Sequence, residues 1–137
     1  KKDLKADILF QQLKQELKKQ EDPSKFNKIR GLFIISVFNK GKYEKDWYMY
    51  FQGNNEAPII TDVRSTINTT SNQQKTAIVI IELEDKDLVN FVAGGISGIQ
   101  SIMSGRVKIV GDFNLAQQLE TLFLELGGVE KTMSYIK

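Results

Sequence analysis

Apolar residues recur every three or four positions along the first twenty residues of the chain. The residues with this spacing are Ala6, Leu9, Phe10, Leu13 and Leu17. Lysines gather on the opposite side of the same helical projection. The segment Asp22-Pro23-Ser24 interrupts the pattern, because proline cannot continue a helix and restricts the residue before it. The spacing predicts an amphipathic helix over residues 3–20.

Segments rich in β-branched and aromatic residues come next, separated by turns. Residues 31–38 and 46–51 predict two strands, and the turn Asn39-Lys40-Gly41-Lys42 between them predicts an antiparallel hairpin. A weaker strand is predicted over 58–63, a polar loop over 68–75 and the most β-prone strand over 76–83. The last strand is predicted over 107–110.

Aspartates stand where two later helices are predicted to begin. Asp85 is placed to cap a helix over 86–93, and a second short helix is predicted between Ser97 and Gly105. Asp112 is placed to cap a final helix that ends at Gly127-Gly128. The order α, β, β, β, β, α, α, β, α predicts an α+β fold, with helices covering one face of a single sheet.

Strand alternation places bulky apolar residues on one common face of that sheet. They are Phe33, Ile35, Val37, Trp47, Met49, Phe51, Val79, Ile81, Leu83, Val107 and Ile109. Such a face either forms a close-packed core or lines an apolar cavity. The opposite face carries Leu32, Ile34, Phe38, Tyr48, Ile78 and Ile80. If these residues are exposed, they form a docking or dimerisation surface.

Composition removes most familiar enzyme mechanisms. The 137 residues contain no cysteine and no histidine, which excludes thiol nucleophiles, serine–histidine triads and ordinary zinc sites. The net charge of +2, from 19 basic and 17 acidic residues, does not favour a nucleic-acid partner. No apolar stretch approaches the ~20 residues of a membrane span. We expect one intracellular, soluble domain over residues 1–137; because the chain begins Lys1-Lys2 without Met, we also consider a segment of a longer protein.

Charged side chains offer few candidates for chemistry. Glu84, Asp85 and Asp87 lie close together in sequence, as acid–base catalysis would require, but carboxylates at a helix start are more simply explained by capping. Arg30 and Arg106 precede the first and last strands and could each bind a carboxylate or phosphate, or be surface residues.

Four parts of the chain resemble the sterol carrier protein-2 family. They are the strand 76–83 leading into Glu84-Asp85-Lys86-Asp87-Leu88, the paired short helices predicted after it, the segment Gly105-Arg106-Val107-Lys108-Ile109-Val110-Gly111-Asp112, and Leu115-Ala116 with Leu119. In that family the matching stretches are a polar-apolar strand, a Ser-Asp-Leu or Asp-Asp-Leu helix start, a Gly-Lys-Leu-Lys-Ile-x-Gly-Asn strand and a Leu-Ala-x-x-Leu helix. Trp47 also resembles the Trp-x-x-Asp strand of the family's hairpin. The resemblance extends in matching order from the first helix to about Leu126.

The resemblance implies a five-stranded mixed sheet covered on one face by helices and enclosing an apolar lipid tunnel. It implies a non-enzymatic lipid-binding or lipid-transfer domain that holds a fatty acid, fatty acyl-CoA or sterol and has no catalytic residues, metal or cofactor. The lipid-binding residues expected on this basis are Phe33, Ile35, Trp47, Met49, Phe51, Ile81, Leu83, Ile102, Met103, Ile109, Phe113, Leu115, Leu119, Leu122 and Phe123.

Some features depart from the family pattern. Glu120 stands where glutamine is common, which would disfavour an anionic head group beside the final helix. The C-terminus lacks the tripeptide that directs many members to peroxisomes, so both cytoplasmic and peroxisomal locations are considered. Two further roles are an accessory domain of a larger lipid-metabolising enzyme, and transient membrane contact through the basic first helix.

Overall fold

A computed structural model describes residues 4–19, 29–53, 58–64, 77–88 and 104–118. Its elements are helix α1 (Lys5–Lys19) and strands β1 (Gly31–Asn39), β2 (Lys42–Phe51), β3 (Ile59–Thr61), β4 (Ile78–Glu84) and β5 (Val107–Gly111). Residues 85–88 and 113–118 are also helical. The paired helices predicted within 86–104 are described only at their margins. The polar loop 68–75 and the end of the final helix lie outside the described residues.

The five strands form one mixed sheet in the order β3-β2-β1-β4-β5. Strand β1 is antiparallel to β2 and parallel to β4, while β2–β3 and β4–β5 are antiparallel pairs. Strands β1, β2 and β3 therefore form an antiparallel meander on one side of the sheet. The chain then crosses over, so that β4 pairs with the other side of β1. The predicted fold class, an α+β fold with a five-stranded mixed sheet and helices, is confirmed.

The strand bounds differ most from the sequence prediction in β2 and β3, and by one or two residues in β1, β4 and β5. Strand β2 begins at Lys42 rather than Asp46, because its charged first half still pairs with β1 across a register shift between Val37 and Phe38. A bulge of this kind admits an extra residue without ending the ladder. Strand β3 is only three residues long, at the edge of the sheet.

One face of the sheet, here called the inner face, is packed against helical residues. The predicted common face is confirmed by the register: Ile35 lies between Trp47 on β2 and Ile81 on β4, and Ile81 in turn pairs with Ile109 on β5. The apolar residues of α1 and Leu115 belong to the same buried cluster. On α1 the apolar stripe is almost fully buried, at 0–6% exposure.

The start of α1 is capped from a distant part of the chain. The Asp85 carboxylate accepts hydrogen bonds from the backbone N–H groups of Lys5 (2.8 Å) and Ala6 (2.9 Å). The prediction that Asp85 caps the helix that follows it is therefore corrected: its two oxygens face the N-terminus of α1. Asp112 does cap its own helix, since its carboxylate accepts the N–H of Leu115 at 3.0 Å.

The opposite, outer face is less exposed than the sequence predicts. Leu32 and Tyr48, expected at the surface, are 0% and 8% exposed, and they form a second buried cluster with Tyr50. Ile34 packs against this cluster and is half-buried, as are Phe38 and Ile80. Of the six residues predicted to form a docking surface, Ile78 alone is exposed. Alternation identifies the face on which a residue lies but not what covers that face.

Candidate functional site

The candidate site is the inner face of the sheet and the helical residues packed on it. Seven of the sequence-predicted lipid-binding residues lie together there and are 0–3% exposed. They are Phe33, Ile35, Trp47, Met49, Phe51, Ile81 and Leu83. Aromatic packing orders this face: Phe10 of α1 stacks on Trp47 with ring centroids 5.3 Å apart, and Phe33 meets Phe51 edge-on at 5.6 Å.

The remaining predicted residues lie toward the β5 side or outside the described part of the chain. Leu115 is buried in the same cluster, at 3% exposure, and Ile109 is half-buried against it. Phe113 is 43% exposed and does not belong to the cluster. Ile102, Met103, Leu119, Leu122, Phe123 and the divergent Glu120 lie outside the described residues.

On the described strands, the buried polar side chains lie on the outer face. Ser36 and Thr61 belong to the outer face by their strand register, since Thr61 pairs with Tyr48 and Ser36 lies two residues from Ile34. Asp85, the third buried polar residue described, is used at the start of α1. The inner face consequently offers hydrophobic contact but no buried catalytic group along the described strands.

A polar cluster closes the inner face at one end of β2. The Lys45 ammonium lies 2.9 Å from an Asp7 oxygen and 2.8 Å from an Asp62 oxygen, and 4.9 Å from the ring centre of Trp47. The indole Nε1 of Trp47 donates to Asp7 at 2.9 Å. This arrangement fixes the first turn of α1 to β2 and satisfies the polar atom of the buried tryptophan.

The charges of this cluster influence one another. Hydrogen bonding to Lys45 lowers the pKa of Asp62 below its ordinary value, against the opposing effect of burial. Burial alone would lower the pKa of Lys45, but its hydrogen bonds to Asp62 and Asp7 outweigh that effect and raise it. Sequence reasoning missed this cluster. The sequence does contain one indication of it: Lys45 and Trp47 are two residues apart on a strand, so their side chains lie on the same face.

Among the other sequence candidates for chemistry, Glu84 serves local structure. Both oxygens of Glu84 accept N–H groups of the hairpin turn, at Lys40 and Gly41. Arg30 and Arg106 are exposed. The side chain of Arg30 lies over Gly53, where an added Cβ would be 2.6 Å from its Nε. The described ranges hold no group of three or more acidic, histidine or cysteine side chains placed to bind a metal ion.

Comparison with known proteins establishes the family. The family model described as the SCP-2 sterol transfer family matches residues 10–124, most of the chain. The chain belongs to this family. It is similar to sterol carrier protein 2 of Oryctolagus cuniculus, with 29% identity over 125 residues, and of Homo sapiens, with 27% over 128 residues. These matches cover 90% and 92% of the chain but only 20% and 21% of the relatives, so the chain spans about a fifth of their length.

Solved structures of sterol carrier proteins share the fold. Domain 2 of the Helicoverpa armigera sterol carrier protein superposes with a TM-score of 0.63 at 20% identity, covering 90% of this chain and 89% of that one. Sterol carrier protein-2 like-3 of Aedes aegypti gives 0.61 at 17%, covering 90% and 99%. Aedes aegypti sterol carrier protein-2, solved in complex with palmitate, gives 0.55 at 15%, covering 89% and 96%.

None of the helices in the described ranges is long and apolar enough to cross a bilayer.

Proposed function

We propose that this domain of the SCP-2 sterol transfer family is a non-enzymatic carrier that holds a lipid acyl chain against the inner face of the sheet. The observation that supports this most directly is the composition of that face. All five strands contribute only apolar side chains to its buried centre, from Ile60 on β3 to Val107 on β5. A lipid carrier needs such a face, because its ligand is bound by removing apolar surface from water.

The ligand class follows from the same surface and from the family. Fatty acid, fatty acyl-CoA and sterol all present a long apolar portion, and the related Aedes aegypti protein was solved with palmitate. We place the opening of the site toward β5. Ile109 is half-buried there and Phe113 is exposed, whereas Phe10 and Trp47 fill the region under α1 at 0–1% exposure. The tunnel would lie between the sheet and the helical residues that include Leu115.

The test is whether the purified protein binds one acyl chain and where. Native mass spectrometry before and after organic extraction detects co-purified lipid, and displacement of a fluorescent fatty acid measures affinity. Each added CH₂ contributes about 0.8 kcal/mol, so affinity should rise roughly fourfold per methylene from laurate to palmitate. No saturable binding, or affinity independent of chain length, would contradict the proposal.

Two neighbouring substitutions on β5 locate the site. Ile109→Phe adds volume on the inner face, whereas Val110→Phe adds the same ring on the outer face, where Val110 is 42% exposed. We expect Ile109→Phe to weaken palmitate binding by roughly tenfold and Val110→Phe to leave it nearly unchanged. Equal effects of the two variants would show that the ligand does not lie against the inner face.

We also propose that α1 contacts anionic membranes when lipid is exchanged. Ile8 is 41% exposed on this helix, and Lys5, Lys18 and Lys19 are exposed on it as well. A lysine near an anionic surface contributes about 1 kcal/mol. Replacing Lys5 and Lys18 by alanine should therefore reduce co-sedimentation with phosphatidylserine vesicles but not with neutral vesicles.

We propose further that residues 1–137 form one domain and that it acts alone or as the accessory domain of a larger lipid-metabolising enzyme.

A further inference from the structure

Strand β3 has the shortest ladder of the sheet. It lies at the edge and pairs with β2 alone, and three residue pairs hold it there. By comparison, β5 at the opposite edge is joined to β4 by five pairs. Edge elements with few ladder bonds need the least free energy to open locally. We therefore expect β3 to be the first strand that separates from the folded sheet.

This short strand closes the inner face on the side away from β5. Ile60 belongs to the inner-face cluster, where it pairs with Met49 and is 3% exposed. Leu17 of α1 belongs to the same cluster. Ile60 and Leu17 also line a groove of about 520 Å³ between β3 and α1. If β3 moves away from β2, Ile60 leaves the cluster and the inner face opens to solvent along this groove.

Ion pairs tie the end of β3 to both of its neighbours. Asp62, directly after β3, accepts a hydrogen bond from Lys45 of β2 at 2.8 Å, and Lys45 also lies 2.9 Å from Asp7 of α1. The pKa of Asp62 is lowered first by this hydrogen bond and, to a smaller extent, by the charge of Lys14 on α1. The side chains of Lys45 and Asp62 are 28% and 38% exposed, so salt screens their attraction. The attachment of β3 therefore depends on charge, unlike the apolar packing of the inner face.

We propose that β3 is a strap that opens while the rest of the sheet stays folded, that Lys45 controls how often it opens, and that the open form gives lipid a second route to the inner face. This route lies opposite the opening at β5, because β2, β1 and β4 separate β3 from β5. The lipid route rests on the proposed carrier function, whereas the opening of the strap does not.

Cysteine labelling measures the opening directly, because the chain has no cysteine of its own. Ile60→Cys and Ile35→Cys each introduce one thiol at a buried position, on β3 and on the central strand β1 respectively. Iodoacetamide, an uncharged reagent, modifies each thiol only when its strand opens. Ile60→Cys should react at least about tenfold faster than Ile35→Cys without denaturant. Equal rates would show that β3 opens only when the whole domain unfolds, and would overturn the proposal.

Two lysines of β2 provide the matched comparison. In the Ile60→Cys background, Lys45→Met should raise the labelling rate roughly threefold, a factor typical of exposed ion pairs. Lys42→Met removes the same charge from the same strand at an exposed position beside the hairpin turn, and should leave the rate unchanged. With both lysines intact, the labelling rate of Ile60→Cys should rise with ionic strength. Equal effects of the two methionine variants, or no response to salt, would overturn the role of Lys45.

A reversible crosslink tests the lipid route. Tyr48 and Thr61 are paired across β2 and β3 on the outer face, so Tyr48→Cys with Thr61→Cys can form a disulfide that leaves the inner face untouched. Oxidation should slow both uptake and release of NBD-labelled stearate roughly fivefold without changing its Kd, and reduction should restore both rates. Equal rates in the oxidised and reduced forms would overturn the second route. Absence of saturable binding in both forms would contradict the carrier function and the lipid route with it, while the labelling rates would still decide whether β3 opens.

Discussion

Replacing Asp85 should destabilise the domain through a helix that begins eighty residues earlier. Asp85 is 9% exposed and accepts two backbone N–H groups from the first turn of α1. In Asp85→Ala both donors lose a charged acceptor, and the Ala6 N–H is left buried. Loss of a helix cap costs about 0.5–2 kcal/mol, and hydrogen bonds to charged groups contribute about 1.5–3 kcal/mol. We therefore expect a loss of about 2–3 kcal/mol in the free energy of unfolding.

Urea denaturation followed by far-UV circular dichroism and by fluorescence of Trp47, the single tryptophan, measures this loss. At this chain length it corresponds to a fall in Tm of about 6–12 °C. Asp85→Asn keeps one acceptor oxygen without the charge and should lose about half as much. A control at an exposed position, Lys108→Ala, should change stability by less than about 0.5 kcal/mol.

A second substitution tests whether the effect acts through α1. Lys5→Pro removes one of the two donors at the first helical position, where proline is tolerated. If the interaction is as described, Lys5→Pro should cost about 1 kcal/mol less in the Asp85→Ala background than in the wild type. Additive effects, or an Asp85→Ala variant as stable as the Lys108→Ala control, would refute the reasoning.

Three further predictions concern backbone geometry, capping and pH. Gly31→Ala should destabilise by about 1–3 kcal/mol by urea denaturation, because φ is +150° and the new Cβ would lie 2.6 Å from Leu115; unchanged stability would contradict this. Asp112→Ala should lower the free energy of unfolding by about 1 kcal/mol in the same assay, because the backbone N–H of Leu115 loses its acceptor. An unchanged free energy of unfolding would show that this hydrogen bond contributes nothing. Since the Asp62 pKa is lowered, the stability from its pair with Lys45 should be complete above about pH 5 and lost as pH falls below 3.8. The pair should contribute about 0.2–1 kcal/mol to the free energy of unfolding, as is usual for an exposed ion pair. If the free energy of unfolding depends on pH in the same way in Asp62→Asn and in the wild type, this contribution is excluded.

The sheet was largely predictable because alternation is a local property of the chain. Residues two apart on a strand share a face, so Trp47 and Met49 could be placed opposite Phe33 and Ile35 before their register was known. The partner of Asp85 was not predictable in this way. A carboxylate caps whichever N-terminus lies nearest in space, and here the end of β4 brings it to α1.

The main error of the sequence prediction was that it expected the outer face of the sheet to be exposed. The cause of this error applies to any strand pattern. Leu32 and Tyr48 alternate correctly for that face, yet they are buried with Tyr50. Burial depends on what the rest of the chain places above a strand, which periodicity does not encode. The same limit applies to the carrier site: the sequence predicts an apolar face, but not whether a filled core or an open tunnel lies above it.

The parallel pairing of β1 with β4 also has a consequence for how the protein is made. The β1–β2 hairpin forms from adjacent segments, but the other side of β1 stays unpaired until β4 has been synthesised. Only then can Phe33 and Ile35 pair with Val79 and Ile81. At synthesis rates of roughly 5–20 residues per second, this interval is a few seconds. During it a nascent chain exposes an apolar sheet edge on the ribosome, so β1 is the segment that we expect chaperones to protect.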